Sequence, residues 1–424
     1  MSAAKSLYLD IRNRIFEALD TNAVESASKE QLRAQLTNGV DMLVEQMEQP
    51  VPAILRRQFV TNLIDELTGL GPLQPLMDDE DITDIMVNGP DSIFVERFGI
   101  VEKTEISFVD DKQLRQVAQR IVSRVGRRID EATPMADARL PDGSRVNAVI
   151  SPISIDGTAI SIRKFKKQSI GLPELVEFGA MSPQMAKVLM IAARCRCNIL
   201  ISGGTGSGKT TLLNGLSQFI SEKERILTIE DAAELRLQQP HVLRLETRVA
   251  GTEGTGAISQ RDLVINALRM RPDRIIIGEC RGPEAFEMLQ AMNTGHDGSM
   301  STLHANTPRD ALARVESMIM MANLSLPLEA IRRTIVSAVN IVIQANRLHD
   351  GSRKVTAISE VVGLEGENVV MEDIFRFEAD ERQGEGDKIS GRFVTPGLMQ
   401  RSELAKKARF FGLYEELMAA FHSS

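Results

Sequence analysis

The sequence predicts an α/β protein whose largest part is a parallel sheet covered by helices on both faces, preceded by a mixed α+β domain and an N-terminal helical segment. Three observations carry this. Short apolar runs alternate with helical stretches: Cys197-Asn198-Ile199-Leu200-Ile201, Ile226-Leu227-Thr228-Ile229, Ile275-Ile276-Ile277, Ser299-Met300-Ser301-Thr302-Leu303 and Ile341-Val342-Ile343-Gln344. That is the pattern of strands buried on both sides. The first run leads into Gly203-Gly204-Thr205-Gly206-Ser207-Gly208-Lys209-Thr210-Thr211, which fills the phosphate-loop pattern G-x-x-x-x-G-K-[ST]. Glu230, Glu279 and His304 stand at or just past the ends of later runs, where parallel sheets collect their ligands.

Taken in order, residues 1–70 read as helices. Leu7, Ile11, Ile15 and Leu19 recur every four residues. Ser28 with Gln31 resembles a capping box ahead of Leu32, Leu36 and Leu43. Phe59, Leu63, Ile64 and Leu67 form another apolar face, closed by Gly69. An amphipathic helix here either packs on its own domain or lies on a membrane or partner.

Residues 71–163 read as the α+β domain, with strands over 82–87 and 92–97 about Asn88-Gly89-Pro90 and a helix over 114–125. A hairpin over 139–150 turns at Pro141-Asp142-Gly143, and a strand follows over 158–163. Arg127, Arg128, Arg139, Arg145 and Arg163 crowd this span. Arginine forks complement phosphate oxygens; the other reading is a solvated surface. Residues 164–175 are read as a linker, opening on Lys164-Phe165-Lys166-Lys167-Gln168-Ser169. Residues 176–360 form the phosphate-loop domain, with helices over 211–220 and 263–270. Residues 361–424 hold strand-like pieces over 369–372 and 374–377, a polar insert over 379–389 and a helical end over 401–421, with no recognisable chemistry.

Bulk properties bound the function. With 424 residues two or three domains are expected. A net charge of −8 argues against direct nucleic-acid binding. Cys195, Cys197 and Cys280 have neither zinc nor disulfide spacing, which suits a reducing compartment. Met1-Ser2-Ala3-Ala4-Lys5-Ser6 has no apolar stretch behind a basic start, so no signal peptide is expected. No apolar run approaches the roughly 18 residues of a spanning helix, so any membrane role is expected to come through partners.

Phosphoryl transfer needs phosphate charge neutralised, Mg²⁺ held and a water aligned. The glycine loop aims backbone N–H groups at a polyphosphate from the positive end of a helix dipole. Lys209 is expected to reach the β- and γ-phosphates of a bound nucleotide, and the Thr210 hydroxyl to ligate Mg²⁺. A generic magnesium strand ends in four apolar residues and Asp. Here Gly278 takes that place, followed by Glu279. Glu230 on the neighbouring strand is the substitute carboxylate. One of the pair is expected in the Mg²⁺ shell and the other to polarise the water; the sequence leaves open which. A helix N-cap is the other use of a strand-end carboxylate. His304 suits a hydrogen bond to the γ-phosphate, and His296, beside Gly295 and Gly298, suits orienting the same loop; a structural histidine is the alternative for each.

These residues resemble a known family. Gly203 to Thr211, Ile226 to Asp231, Gly278-Glu279-Cys280-Arg281, and Thr294-Gly295-His296-Asp297-Gly298-Ser299 with Ser301 to Asn306 look like four boxes of the secretion-motor ATPases. In that family they are the Walker A, the Asp box, an atypical Walker B and the His box. Gly71-Pro72-Leu73-Gln74-Pro75-Leu76, Ile85-Met86-Val87-Asn88-Gly89 and Arg139 to Ala148 resemble the CpaF-type motors of the tight-adherence (Flp) pilus. The resemblance covers about residues 60–378. Other branches often carry a four-cysteine zinc module, which this chain lacks.

The resemblance implies a RecA-like core in a cytoplasmic homohexamer, peripheral to the inner membrane. It implies ATP between the two domains, with Arg145 and Arg163 matching arginines that reach the nucleotide. It also implies a polytopic inner-membrane platform protein as partner for pilus assembly or secretion. A nucleic-acid-translocating RecA-like ATPase is the competing enzyme, but it needs a basic channel or stacking aromatics, and aromatics are 4% with no Trp. A nucleotide-gated scaffold would not need paired carboxylates, and no N-K-x-D element for guanine occurs.

Overall fold

The computed structural model describes residues 3–18, 28–47, 50–165, 170–248, 250, 255–322, 326–380 and 389–422. Leu19, linker residues 166–169 and most of the polar insert lie outside them. The chain forms two compact units, Met1–Lys167 and Gln168–Ser424.

In the first unit, helices Ala3–Ala18, Lys29–Glu45 and Ala53–Thr68 share a core that includes Ile11, Leu32, Leu36, Val40, Phe59 and Leu63. The capping box forms as expected: Ser28 Oγ accepts from Gln31 N at 3.2 Å, and Gln31 Oε1 accepts from Ser28 N at 2.9 Å. Ile11 and Ile15 of the first helix are buried in that core. Arg12 Nε also donates to both Glu66 oxygens, at 2.8 and 2.9 Å, so the amphipathic face is used within its own unit.

Beyond these helices come β1 (Ile82–Asn88), β2 (Ile93–Arg97), β3 (Ile100–Lys103), β4 (Met135–Arg139), β5 (Arg145–Val149) and β6 (Ala159–Arg163). They form an antiparallel sheet in the order β3-β2-β1-β6-β5-β4. Helix Asp111–Arg124 covers one face through Leu114, Val117, Ala118, Ile121 and Val122. At the β4–β5 turn Asp142 accepts from Ser144 N at 2.9 Å and Ser144 Oγ at 2.8 Å. Gly143 there has φ +94°, and a Cβ would meet the Phe165 ring at 2.9 Å.

One rung of this sheet is chemically unusual. Arg139 pairs opposite Arg145, Arg145 opposite Arg163, and Arg163 opposite Asp84. Directly opposed residues share a face, and like charges there are destabilising. Asp84 offsets part of this, with Oδ1 3.1 Å from Arg163 Nε.

The second unit holds β7 (Ile199–Gly203), β8 (Ile226–Glu230), β9 (Val242–Glu246), β10 (Arg274–Ile277), β11 (Met300–Leu303), β12 (Ile341–Arg347), β13 (Arg353–Glu365), β14 (Asn368–Ala379) and β15 (Gly391–Val394). Among the described residues they make one nine-stranded sheet, ordered β15-β14-β13-β12-β7-β11-β10-β8-β9. From β12 to β9 every pairing is parallel. From β12 to β15 the chain turns back antiparallel, an extension that carries the sheet past residue 360. The two pieces read at 369–372 and 374–377 are parts of β14.

Alternation within the apolar runs builds two cores. Ile199, Ile201, Ile226, Ile276 and Ile341 face one, while Leu200, Leu227, Ile275, Ile277 and Val342 face the other. Helices Pro183–Arg194, Lys209–Ser217, Glu403–Phe410 and Tyr414–His422 contribute to the first core. Helices Gln260–Ala267, Glu284–Asn293, Pro308–Met321 and Leu328–Ala338 contribute to the second. The helical C-terminus read as one stretch is two helices. Glu360 Oε1 on β13 caps the first by accepting from Leu404 N at 2.8 Å.

β7 runs between β11 and β12, and a buried asparagine fixes its start. Asn198 Oδ1 accepts from Gly298 N at 2.7 Å and Ser299 N at 3.1 Å. Its Nδ2 donates to Ala338 O at 2.7 Å and Met292 O at 3.3 Å. Its own N–H donates to Asn340 Oδ1 at 2.9 Å. Asn198→Ala strands several buried backbone groups at once, each costing about 1–3 kcal/mol. The expected result is native-state hydrogen exchange at β7 and β11 amides faster by at least about 30-fold, equivalent to about 2 kcal/mol. Unchanged protection would show that the asparagine does not hold the strand.

Candidate active site

The phosphate-loop sequence leaves β7 at Gly203 and enters the helix at Lys209. Gly203 is required by space: a Cβ there would lie 2.1 Å from Ala345 O of β12 and 2.5 Å from Ser207 Oγ. Gly208 is required by conformation, since it caps the helix at φ 95°, a region costly for any residue with a Cβ. Lys209 curls back over the loop, its Nζ donating to Gly203 O at 2.9 Å and Gly204 O at 2.8 Å. Burial lowers the pKa of its ammonium, against the opposing pull of Glu279.

Three further groups arrive on neighbouring strand ends. Glu230 closes β8 and is 3% exposed. Its Oε2 accepts from Glu234 N at 2.7 Å and Leu235 N at 2.9 Å. Its Oε1 is buried without a hydrogen-bond partner among the described residues. Burial raises its pKa, and the two backbone bonds offset this in part. A Cβ on Gly278 would lie 2.8 Å from Glu230 Cγ, so the Glu230 side chain occupies the space that an Asp at 278 would need.

Glu279 follows β10. Its Oε2 accepts from Arg281 Nε at 2.7 Å, with Nη2 on the same oxygen. Arg281 Nη1 lies 3.6 Å from Asp231. His304 Nε2 lies 2.6 Å from Glu279 Oε1, close enough to pair but not aligned as a hydrogen bond. Burial lowers the pKa of His304, and Lys209 lowers it further. The strand ends are laced together: Gly278 N donates to Ile229 O at 2.9 Å, Cys280 N to Thr302 O at 2.8 Å and Thr302 Oγ1 to Gly278 O at 2.6 Å. Glu284 Oε1 accepts from Arg281 N and Gly282 N at 2.6 and 2.8 Å, shaping the turn that carries Glu279.

Lys209, Glu279 and His304 are therefore gathered, with Glu230 on the adjoining strand end. His296 is not with them. It precedes β11, its Nδ1 stands 3.2 Å from Ala291 O, and its carbonyl accepts from Ser299 Oγ at 2.7 Å. Ser299 bonds Asn198 at the start of β7, so His296 sits at the amino edge of the parallel strands. The physical reason is strand direction: a residue entering a parallel strand lies at the opposite edge from one leaving it. Arg145 and Arg163 lie on the arginine rung of the first unit. One residue not singled out for the site belongs to it: Arg281 clamps Glu279. The sequence signal for Arg281 was its place in the Gly278-Glu279-Cys280-Arg281 box, two residues from Glu279. Behind the loop, Arg353 on β13 donates from Nε to Gly206 O at 2.8 Å.

Among the described residues no three His, Cys, Asp or Glu side chains gather as a metal cage. Mg²⁺ in nucleotide sites needs only one or two side chains besides phosphate oxygens, and the unpaired Glu230 Oε1 fits that use. A glycine loop after a buried strand, a helix opening at Lys209 and carboxylates on adjacent strand ends define a P-loop nucleoside triphosphatase.

Residues 66–375 match the family described as Type II/IV secretion system protein, and the chain belongs to it; it is an ATPase of that family. A Mycobacterium tuberculosis protein provisionally named for conjugal transfer is 38% identical over 307 residues, 71% of this chain and 87% of that protein. The type IV secretion system protein VirB11 of Bartonella quintana is 31% identical over 334 residues, 69% of this chain and 92% of that protein. Among solved structures, the VirB11 ATPase of Brucella suis is 28% identical with a TM-score of 0.37, over 68% of this chain and 95% of that one. The pilus retraction motor PilT is 19% identical with a TM-score of 0.49, over 81% and 88%.

The raised pKa of Glu230 has a stability consequence. Its folded pKa exceeds its unfolded one, so its contribution is intact below about pH 4.3 and is lost as pH rises through the folded value. Glu230→Gln cannot ionise. Without nucleotide, its thermal midpoint is expected to exceed wild type at pH 8, with the gap narrowing toward pH 4. A gap that stays constant or reverses would show that the carboxylate is not strained by burial.

Proposed function

We propose that this chain is the cytoplasmic motor of a pilus-assembly or secretion machine, a homohexamer that hydrolyses ATP and works through an inner-membrane platform protein, of the tight-adherence branch. The observation that carries the reading is the gathering of Lys209, Glu279 and His304, with Glu230 beside them, at the carboxyl edge of one parallel sheet. No described helix is long and apolar enough to cross a membrane, which suits action through a membrane partner.

In this reading the Gly203–Thr211 backbone cradles the phosphates, and Lys209 leaves its carbonyls for the β- and γ-oxygens. Thr210 and one of Glu230 and Glu279 would hold Mg²⁺, which neutralises phosphate charge when bound. The other carboxylate orients the attacking water, and His304 holds the γ-phosphate side of the site. Glu279, between Arg281 and His304, is held where a small rotation exchanges those partners for a water. His296 stabilises the loop entering β11 and takes no part in the chemistry.

Arg145 and Arg163 supply the remaining positive charge when the first unit closes on the nucleotide. Three arginines share one rung there, and arginine forks complement phosphate oxygens. An arginine delivered by a mobile domain couples hydrolysis to motion.

The test compares turnover with nucleotide affinity. Lys209→Ala is expected to lower ATP hydrolysis at least about tenfold with the fold intact, because electrostatic stabilisation dominates this chemistry. Arg145→Ala and Arg163→Ala are expected to lower turnover strongly while Mg-ATP affinity stays within about tenfold, and lysine should rescue poorly because it loses the fork. Wild-type turnover in both arginine variants would reduce them to surface residues, and wild-type turnover in Lys209→Ala would remove the loop assignment.

A further inference from the structure

We propose that Arg353, on the β12–β13 hairpin, is a positioning residue that holds the phosphate loop in its nucleotide-accepting form. The inference rests on the reading that the loop binds ATP phosphates, and it adds a residue 147 positions away in sequence from the glycine it touches.

The hairpin is rigidly built. β12 pairs with β7 up to Ala345 opposite Gly203. Leu348 N donates to Ser352 O at 2.8 Å across the turn, and Asp350 Oδ1 accepts from Ser352 N at 3.0 Å and Ser352 Oγ at 2.7 Å. Arg347 and Arg353, the last and first residues of the two strands, stand directly opposite each other. Opposed like charges weaken a hairpin, so this pair has an energetic cost that an anionic neighbour would offset. Both guanidinium groups flank the loop: a Cβ on Gly206 would lie 3.8 Å from Arg347 Nη1, and one on Gly208 would lie 3.6 Å from Arg353 Cδ.

The hydrogen bond decides an orientation. The carbonyl of Gly206 and the N–H of Ser207 belong to one planar trans peptide and point opposite ways. Arg353 Nε holds the carbonyl outward at 2.8 Å, which aims the Ser207 N–H inward, toward Gly204 O at 3.4 Å. Gly206 has φ +70°, and a glycine lets its peptide turn over at little steric cost. Turned over, that peptide would present an oxygen where a phosphate must sit. Arg353 removes this alternative before nucleotide arrives, so its effect falls on affinity rather than on the chemical step.

The experiment uses the full chain and titrates Mg²⁺ with a slowly hydrolysed ATP analogue, alongside steady-state turnover and nucleotide-free melting. For Arg353→Ala the expected result is an affinity about three- to tenfold weaker, the span of one net hydrogen bond. kcat at saturating ATP should stay within about twofold, and the nucleotide-free midpoint should not move. Arg353→Lys, which keeps charge on a different geometry, should recover only part of the affinity. Unchanged affinity in Arg353→Ala, full recovery by lysine, or a fall in affinity matched by a fall in the nucleotide-free midpoint would each overturn the proposal. A wild-type chain that binds no ATP analogue would instead overturn the loop reading itself.

Discussion

The second unit depends on where β7 stops. That strand is hydrogen-bonded to β11 on one side and β12 on the other, and its five residues span roughly 16 Å. Asn198 fixes its entry by bonding both neighbours' approaches. Gly203 fixes its exit, where only a glycine clears the Ala345 carbonyl. With both ends held, the height of the phosphate loop above the sheet is set by backbone ladders. The same ladders place Glu230, Glu279 and His304, because β8, β10 and β11 are parallel and in register with β7. The phosphate loop is thereby attached to a strand hydrogen-bonded on both sides.

Against that rigid frame, the site stores unsatisfied electrostatics. A buried carboxylate with one unpaired oxygen costs free energy, and Glu230 Oε1 is such a group. Lys209 lies against two carbonyls, substitutes for the phosphates it is suited to bind. Arg347 faces Arg353 across β12 and β13, beside the loop. Each arrangement costs less once a polyanion with its cation is present, so ligand binding should also stabilise the fold. Arg281 is the counterweight: its Nε and Nη2 both donate to Glu279 Oε2 and offset that carboxylate's charge.

Much of this was legible in the sequence, for identifiable reasons. The apolar runs became β7, β8, β10, β11 and β12 because strands buried on both faces have no polar alternation to obscure them. The loop was legible because its glycines answer to space and conformation at fixed spacing. The sequence offered Glu230 as a substitute for an Asp at 278, and the Glu230 side chain fills the space that a side chain at 278 would need. β9, β13 and β15 were not read, because their partly exposed residues, as in Val242–Glu246, mix polar with apolar. Arg353 was invisible because its target lies far away in sequence. For His296 the sequence left a loop-orienting and a structural use open, and its contacts to Ala291 and Ser299 at the entry to β11 fit the structural one.

The most direct measurement is a structure of the full chain with Mg²⁺ and a non-hydrolysable ATP analogue. The expected result is the γ-phosphate within hydrogen-bond distance of Lys209 Nζ, the Lys209 contacts to the Gly203 and Gly204 carbonyls given up, and Glu230 Oε1 newly partnered by the metal shell or an ordered water. An analogue bound away from residues 203–211, or a bound analogue that leaves Lys209 on those carbonyls and Glu230 Oε1 unpartnered, would contradict the account.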